Sequence, residues 1–496
     1  MPQHAVVVGA GAGGLASAVE LAVAGWHVTV VERGSEPGGK MHHRTVDGVG
    51  IDGGPTVFTM YWVFERLFQR AGANFSDRVA LQRSNGIARH AWTDGSQLDL
   101  YSDIDRSSEA IAAFSDERNA EGFRDFSARG ELVHSLLKDN FMATRKPSVL
   151  QLGYRLLRDG GLQSLTVAPH QTLWQALGKF FPDERLRQLY GRYATYVGSS
   201  PLLTPSTLML IAHVEREGVW CVNGGMRALA RAIADLGEER GVDFRFDSHV
   251  QRILVESGRA AGVELASGER LKADAVVFNG DAAAVGAGLL GQDATSATPS
   301  RPRAKRALSA ITWCVRAKTS GFELDHHNVF FANNYTREFD QIFKHRAVTE
   351  EPTVYICAQD RVNGRLEASD RERLLLLVNA PADGDSVDWQ PDDLLQIRQR
   401  TLDVAAKGGC HIDFEEDDCV TTSPTDWNNR FPESGGALYG SASHGMMSSF
   451  TRPGAESKVK GLFFAGGSVH PGPGVPMATL SGSLAANKII GRTNSW

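Results

Sequence analysis

Apolar and polar positions alternate along the chain in two distinct rhythms. Ala5-Val6-Val7-Val8 is a wholly apolar run closed by glycine, the pattern of a strand buried on both faces. Residues 14–24 then take helical spacing, with Leu15, Val19 and Val23 on one side, and Val28-Thr29-Val30-Val31 forms a second strand-like run. Together they predict a β-α-β unit of about 30 residues. A helix is predicted over 59–71, and a hairpin over 88–92 and 98–101 turned at Asp94-Gly95. The stretch 106–210 reads as mostly helical and rather polar. A helix over 225–241 ends in glycine and leads to strands over 242–246, 250–256, 260–265 and 275–279. Further strands are predicted over 328–332, 353–358 and 374–378. The pattern closes with a strand over 462–465, a Gly/Pro loop and a helix from about 477 to 490.

At 496 residues the chain exceeds one ordinary hydrophobic core, so two or three domains are expected. The 42% hydrophobic and 22% charged content is that of a folded protein. A net charge of -6, with no dense Lys/Arg run, gives no reason to expect nucleic acid as a partner. Five cysteines at scattered spacings form neither a CxxC pair nor a metal-ligand pattern, so they read as reduced thiols, and no metal is expected. The N-terminus lacks a signal-peptide pattern, and no run of about 20 apolar residues is present. A cytoplasmic protein follows as the expectation.

The glycines carry the chemistry. Gly9, Gly11 and Gly14 match GxGxxG between the first strand and helix, and Gly13 lies among them. Such a turn brings backbone close to a pyrophosphate and aims a helix N-terminus at it. Glu32 ends the second strand, 23 positions after Gly9, where a carboxylate can bind ribose hydroxyls. These features fit NAD or FAD. The Gly38-Gly39-Lys40 segment directly afterwards favours FAD, offering a second backbone approach, and Gly54-Pro55-Thr56 adds a tight turn. Near the C-terminus, Gly466-Gly467 and the helix start at Val475-Pro476-Met477 would direct a positive dipole end at a flavin. His470 invites assignment as a catalytic base, but a lone histidine in a Gly/Pro loop reads more readily as structural.

These pieces, in this order, resemble the bacterial carotenoid desaturases, relatives of phytoene desaturase among the flavin amine oxidase-like proteins. The resemblance runs through residues 7–41, 52–56, 214–229, 250–281 and 461–487. Within that group, His444-Gly445-Met446, 449–454, 465–472 and 475–482 are most similar to the 1-hydroxycarotenoid 3,4-desaturases, or methoxyneurosporene dehydrogenases. Two departures stand out. Gly466-Gly467 replaces the Gly-Asp of many relatives, and Lys40 replaces a more usual arginine, a point charge in place of a fork.

The resemblance implies an α/β fold: a Rossmann-like FAD-binding domain of the flavin amine oxidase/phytoene desaturase type with an inserted α+β substrate domain. Residues 1–80, 205–295 and 455–496 are expected to form the discontinuous FAD domain, and 81–204 with 296–454 the substrate-binding, membrane-facing one. It implies FAD as cofactor, with contacts also at Val250, and a lipophilic carotenoid dehydrogenated at a CH–CH bond. Such chemistry asks little of side chains, and no catalytic residue is assigned. Phytoene or another carotene desaturase, and a reductase resembling retinol saturase, are alternatives within the class. A non-enzymatic lipid carrier of the GDP-dissociation inhibitor kind is the alternative outside it. The absence of a second GxGxxG unit favours oxygen or a quinone over NADP as electron acceptor. Residues 141–156 mix Leu, Tyr and Phe with Arg and Lys, as an interfacial segment at the inner face of a membrane would. A solvated helix capping the substrate domain would show the same mixture.

Overall fold

In the computed structural model, which describes residues 2–167, 170–362, 365–366 and 370–492, the predicted β-α-β unit forms the centre of a five-stranded sheet. Its strands are β1 (His4–Val8), β2 (His27–Val31), β3 (Asp243–Arg245), β4 (Ala275–Phe278) and β5 (Leu462–Phe464). They lie in the order β5-β4-β1-β2-β3, and every neighbouring pair is parallel. The apolar runs follow from this placement: a parallel strand covered on both faces has no polar side to show. The covering helices are α1 (Ala12–Val23), α2 (Gly225–Glu239) and α3 (Val475–Ile489). Leu15 and Val19 of α1, Leu229 and Ile233 of α2 and Leu480 of α3 share one core with Val7 and Val30. A three-stranded antiparallel sheet, Val250–Glu256, Arg259–Leu265 and Arg270–Lys272, packs beside it.

A larger sheet of eight strands is built from the intervening sequence. Its path runs His411–Asp413, Ser309–Ser320, Glu372–Ala380, Val354–Ala358, His327–Phe331, Gly86–Trp92 and Gln97–Tyr101, with Cys419–Thr422 also paired to Ser309–Ser320. Only the pairing of His327–Phe331 with Gly86–Trp92 is parallel. Sequence reading passes over the twelve-residue strand Ser309–Ser320. Residues 309–315 are buried without a break, so no period of two marks it. One face of the sheet packs against Pro391–Lys407, whose Ile397 and Val404 meet Trp313 and Leu376. The other looks toward a layer of helices that includes Glu117–Leu137, Val149–Gly160 and Leu210–Glu217. These helices begin where their sequences provide caps: the Asp116 carboxylate accepts from Asn119 N–H, and Ser148 and Thr172 form capping boxes with Gln151 and Gln175.

All five cysteines are free, and four are buried. No helix among the described residues is long and apolar enough to cross a membrane.

Candidate functional site

One cavity of about 640 Å³ lies between the two sheets, walled by residues from Val8 to Ala478. Each of Gly9, Gly11, Gly13, Glu32, Gly38, Gly39, Lys40, Gly54, Pro55, Thr56, Val250, Gly466, Gly467, Val475, Pro476 and Met477 lines it. Gly14 does not. It sits behind the wall in the first turn of α1, where a Cβ would lie 2.0 Å from the Gly9 carbonyl oxygen. Its lack of a side chain lets α1 approach β1. Gly13 is constrained differently, since a Cβ there would meet Gly466 N and Asn279 Nδ2 within 2.8 Å. The glycine turns at the two ends of the chain thus close on each other.

Helix starts supply the polarity of this wall. α1 and α3 both begin on it, and neither has a side-chain cap at Gly11 or Gly474. Their first-turn N–H groups are therefore available to a bound acceptor. Pro476 has no N–H, so the first turn of α3 offers one donor fewer than that of α1. α2, by contrast, is served from within: Asp52 Oδ2 accepts from Met226 N–H at 2.7 Å. Burial pushes the Asp52 carboxyl up to about 6, against that hydrogen bond.

Glu32 accepts from Ala10 N–H and Gly34 N–H, both at 2.7 Å. A carboxylate has roughly four lone-pair sites, so half remain for hydroxyl donors. Lys40 Nζ donates to Leu438 O at 2.6 Å and lies 5.0 Å from the Phe431 ring centre. Burial lowers its amine to about 8, although the Asp281 charge raises it. Asp281 is itself held by Arg301 through two bonds of 2.7 and 2.8 Å, with both side chains buried. Asn279, which no sequence motif singles out, follows β4 and reaches between Gly11, Gly13 and Gly466. Its Nδ2 donates to Ala465 O at 3.0 Å, and its buried Oδ1 has no partner. Such an atom awaits a donor. Uncapped helix starts, a half-used carboxylate, a buried amine and an orphaned amide oxygen along bare backbone fit an extended dinucleotide such as FAD.

The remainder of the cavity has two characters. Leu137, Phe141 and Met142 on one side, with Leu208, Leu210 and Ile211, make an apolar passage. Thr312, Thr353, Tyr355 and Asn379 line the large sheet's contribution, and Arg192 faces them, 5.4 Å from the Tyr355 ring centre. The Tyr355 hydroxyl bridges Thr56 Oγ1 and His327 Nδ1, each at 2.7 Å. Beside Arg192, the buried Glu215 carboxylate accepts from Tyr193 and Tyr196 at 2.7 and 2.5 Å. Burial works against the Arg192 charge, but Tyr196 and Glu215 outweigh it and leave the pKa above the ordinary arginine value.

His470 lies outside the cavity wall. Its Nε2 hydrogen-bonds Thr144 O at 2.9 Å, its ring meets Phe141 at 4.8 Å, and burial lowers it to about 4. It fastens the C-terminal loop to the segment before Val149–Gly160.

That segment divides in the structure. Phe141 and Met142 contribute to the cavity wall, whereas outward apolar exposure falls in and just after Val149–Gly160. Leu150, Tyr154 and Leu157, spaced as one helical face, are 86%, 69% and 54% exposed, and Leu162 is 82% exposed.

Residues 12–490 match the family model described as flavin containing amine oxidoreductase. A hydroxyneurosporene desaturase of Rubrivivax gelatinosus is 46% identical over 491 residues, spanning 99% of this chain and 94% of that one. The hydroxyneurosporene desaturase of Cereibacter sphaeroides is 42% identical over 491 residues, with 98% and 97% covered. Cyclohexylamine oxidase from Brevibacterium oxydans has the same fold, with a TM-score of 0.57 at 17% identity over 99% of both chains.

Proposed function

The chain belongs to the flavin-containing amine oxidoreductase family, and on that premise we propose that it desaturates an acyclic carotenoid bearing a hydroxyl or methoxy end group, at the 3,4 bond. It is an FAD-dependent oxidoreductase, and carotenoid desaturation is the activity of its relatives at 46% and 42% identity over the whole chain. The observation that carries the reading is one cavity joining two environments. One is a dinucleotide-shaped wall of glycine turns and uncapped helix starts; the other is an apolar passage fit for a polyene.

FAD, when bound, supplies the acceptor for the hydride that leaves the substrate. In the proposed arrangement α1 and Glu32 hold the pyrophosphate and ribose, and Lys40, Thr56 and the start of α3 hold the ring. Val250 would lie against the adenosine half beside Glu32. Residues 1–80, 205–295 and 455–496 are accordingly assigned to the FAD domain, and 81–204 with 296–454 to the substrate domain. The protein's work is alignment and exclusion of water. Leu137, Phe141 and Ile211 sheathe the polyene, which delocalises the charge left by the departing hydride. A nearby weak base then takes the adjacent proton, and no nucleophile is required.

The substrate is a hydrocarbon of membrane interiors, and the exposed apolar face of Val149–Gly160 sits next to the cavity-lining 137–142 stretch. Peripheral attachment of this face to the inner membrane leaflet would deliver the polyene without a passage through water. The basic side chains Arg145, Lys146 and Arg155 flank it.

Expression in a host that accumulates 1-hydroxylated acyclic carotenoids tests the assignment. A product with one further conjugated double bond and red-shifted absorption is expected. Conversion only in phytoene- or neurosporene-accumulating hosts would overturn the end-group assignment.

A further inference from the structure

Strands Ser309–Ser320, Glu372–Ala380 and Val354–Ala358 lie side by side, and both Thr312 and Tyr355 stand directly opposite Leu377. Side chains alternate along a strand, so Thr312, Leu377 and Tyr355 share one face, with Thr353 and Asn379 one step further along. At this level the opposite face is apolar: Ile311, Trp313, Ile356, Leu376 and Val378 are fully buried in the core beneath Pro391–Lys407. The polar side chains here lie on the cavity side, where burial without partners would be costly. Most are engaged. Glu338 accepts from Thr353 Oγ1 and Asn379 Nδ2 at 2.6 and 2.8 Å, and Tyr355 bridges Thr56 and His327. Thr312 is the exception, because its buried Oγ1 has no hydrogen-bond partner. Arg192 supplies guanidinium donors over the same patch.

Resting on the reading of the cavity as a hydroxylated-polyene site, we propose that Thr312 and Arg192, steadied by the Tyr355 and Asn379 row, form the subsite for the substrate's oxygen-bearing end. The polyene then extends from this floor into the apolar passage past Ile211 and Phe141. An alcohol donates to Thr312 Oγ1 while its oxygen accepts from Arg192. An ether oxygen accepts from both. A plain hydrocarbon end group satisfies neither and leaves them desolvated, so the subsite selects for the oxygen. It also sets depth of insertion, fixing which carbon–carbon bond lies at the flavin.

The test is selectivity of the FAD-loaded enzyme between a 1-hydroxylated acyclic carotenoid and the same polyene without oxygen. Relative kcat/KM is measured, together with binding read by quenching of tryptophan fluorescence. Thr312→Val preserves shape and removes a hydroxyl with no protein partner, so folding is undisturbed. Arg192→Met is the second variant, with flavin content and melting temperature checked for each. The wild type is expected to favour the hydroxylated polyene. Thr312→Val should reduce that preference about tenfold, the size of one neutral hydrogen bond, by lowering only the hydroxylated value. Arg192→Met should reduce it further. Variants that keep the wild-type preference would overturn this subsite while leaving the desaturase assignment standing. A wild type that converts neither polyene would overturn both.

Discussion

Glu32 and Ala10 are joined by a 2.7 Å hydrogen bond from the amide of the glycine turn to the carboxylate that ends β2. The bond ties the two halves of the β-α-β unit together and fixes the carboxylate at the cavity edge. Glu32→Ala should therefore lose FAD by loosening the turn as well as by removing the ribose acceptor. Flavin absorbance per protein after gel filtration is expected to fall at least about tenfold. Gly13→Val should abolish binding, since its side chain would displace both Asn279 and Gly466. Full flavin occupancy in either variant would refute the proposed cradle.

The exposed face Leu150, Tyr154 and Leu157 invites a surface test. Replacing all three by serine should reduce co-sedimentation with anionic liposomes at least about tenfold, because each buried apolar side chain contributes roughly 1–3 kcal/mol. Flavin content and melting temperature should stay unchanged, since none of the three is buried in the folded chain. Undiminished liposome binding would remove this helix from the membrane contact.

Acid sensitivity follows from the buried imidazoles. Burial lowers His42 and His90 to about 3, and His134, His444 and His470 to about 4. Between pH 6.5 and about 4 the unfolded chain takes up protons that the folded chain does not. Stability is thus fully present above pH 6.5 and is lost as pH falls through that window. Asp52, Glu215, Glu338 and Asp383, raised by burial, work in the opposite sense, but His4, His249, His326 and His327 are lowered too, so the histidines outnumber them. Melting temperature measured from pH 7.5 to 4.5 should fall steadily, and His470→Gln should shallow the slope. A flat profile would contradict the burial of these rings.

Arg301 and Asp281 form an ion pair with 7% and 8% of their side chains exposed. Removing one partner leaves the other buried and uncompensated, so Arg301→Met should destabilise by about 3–5 kcal/mol in chemical denaturation. The double variant Arg301→Met, Asp281→Leu should recover much of that loss. Recovery failing, with the single variant harmless, would show that the pair is not closed in solution.

The glycine-lined wall of the cavity was readable in advance because its signals are local. Gly9, Gly11 and Glu32 fall within one β-α-β unit, and backbone geometry demands those residue types there. Asn279 was not readable, because only the fold brings it between turns that are far away in sequence. The sheet side of the cavity hid for a second reason. Leu374-Leu375-Leu376-Leu377-Val378 is buried on both faces, one by the core and one by the cavity floor, so its composition does not say which is which. Thr312 and Tyr355 acquire meaning only once their register opposite Leu377 is known. Val149–Gly160 shows the remaining limit. Its mixture of apolar and basic residues was visible, but the inward turn of Phe141 and the outward face at Leu150 depend on how the helix seats.

The packing of the first helix against the last has a consequence for how the protein is made. A Cβ on Gly482 in α3 would lie 2.1 Å from the Gly13 carbonyl of α1, so the two helices close over the glycine turn with no space between them. On the ribosome, α1 emerges early and waits while several hundred further residues are synthesised. Residues 466–478, which complete the cavity wall, follow only after nearly all the rest of the described chain. The two glycine turns can close on each other only once both have been made, so a complete cavity is a late product of synthesis.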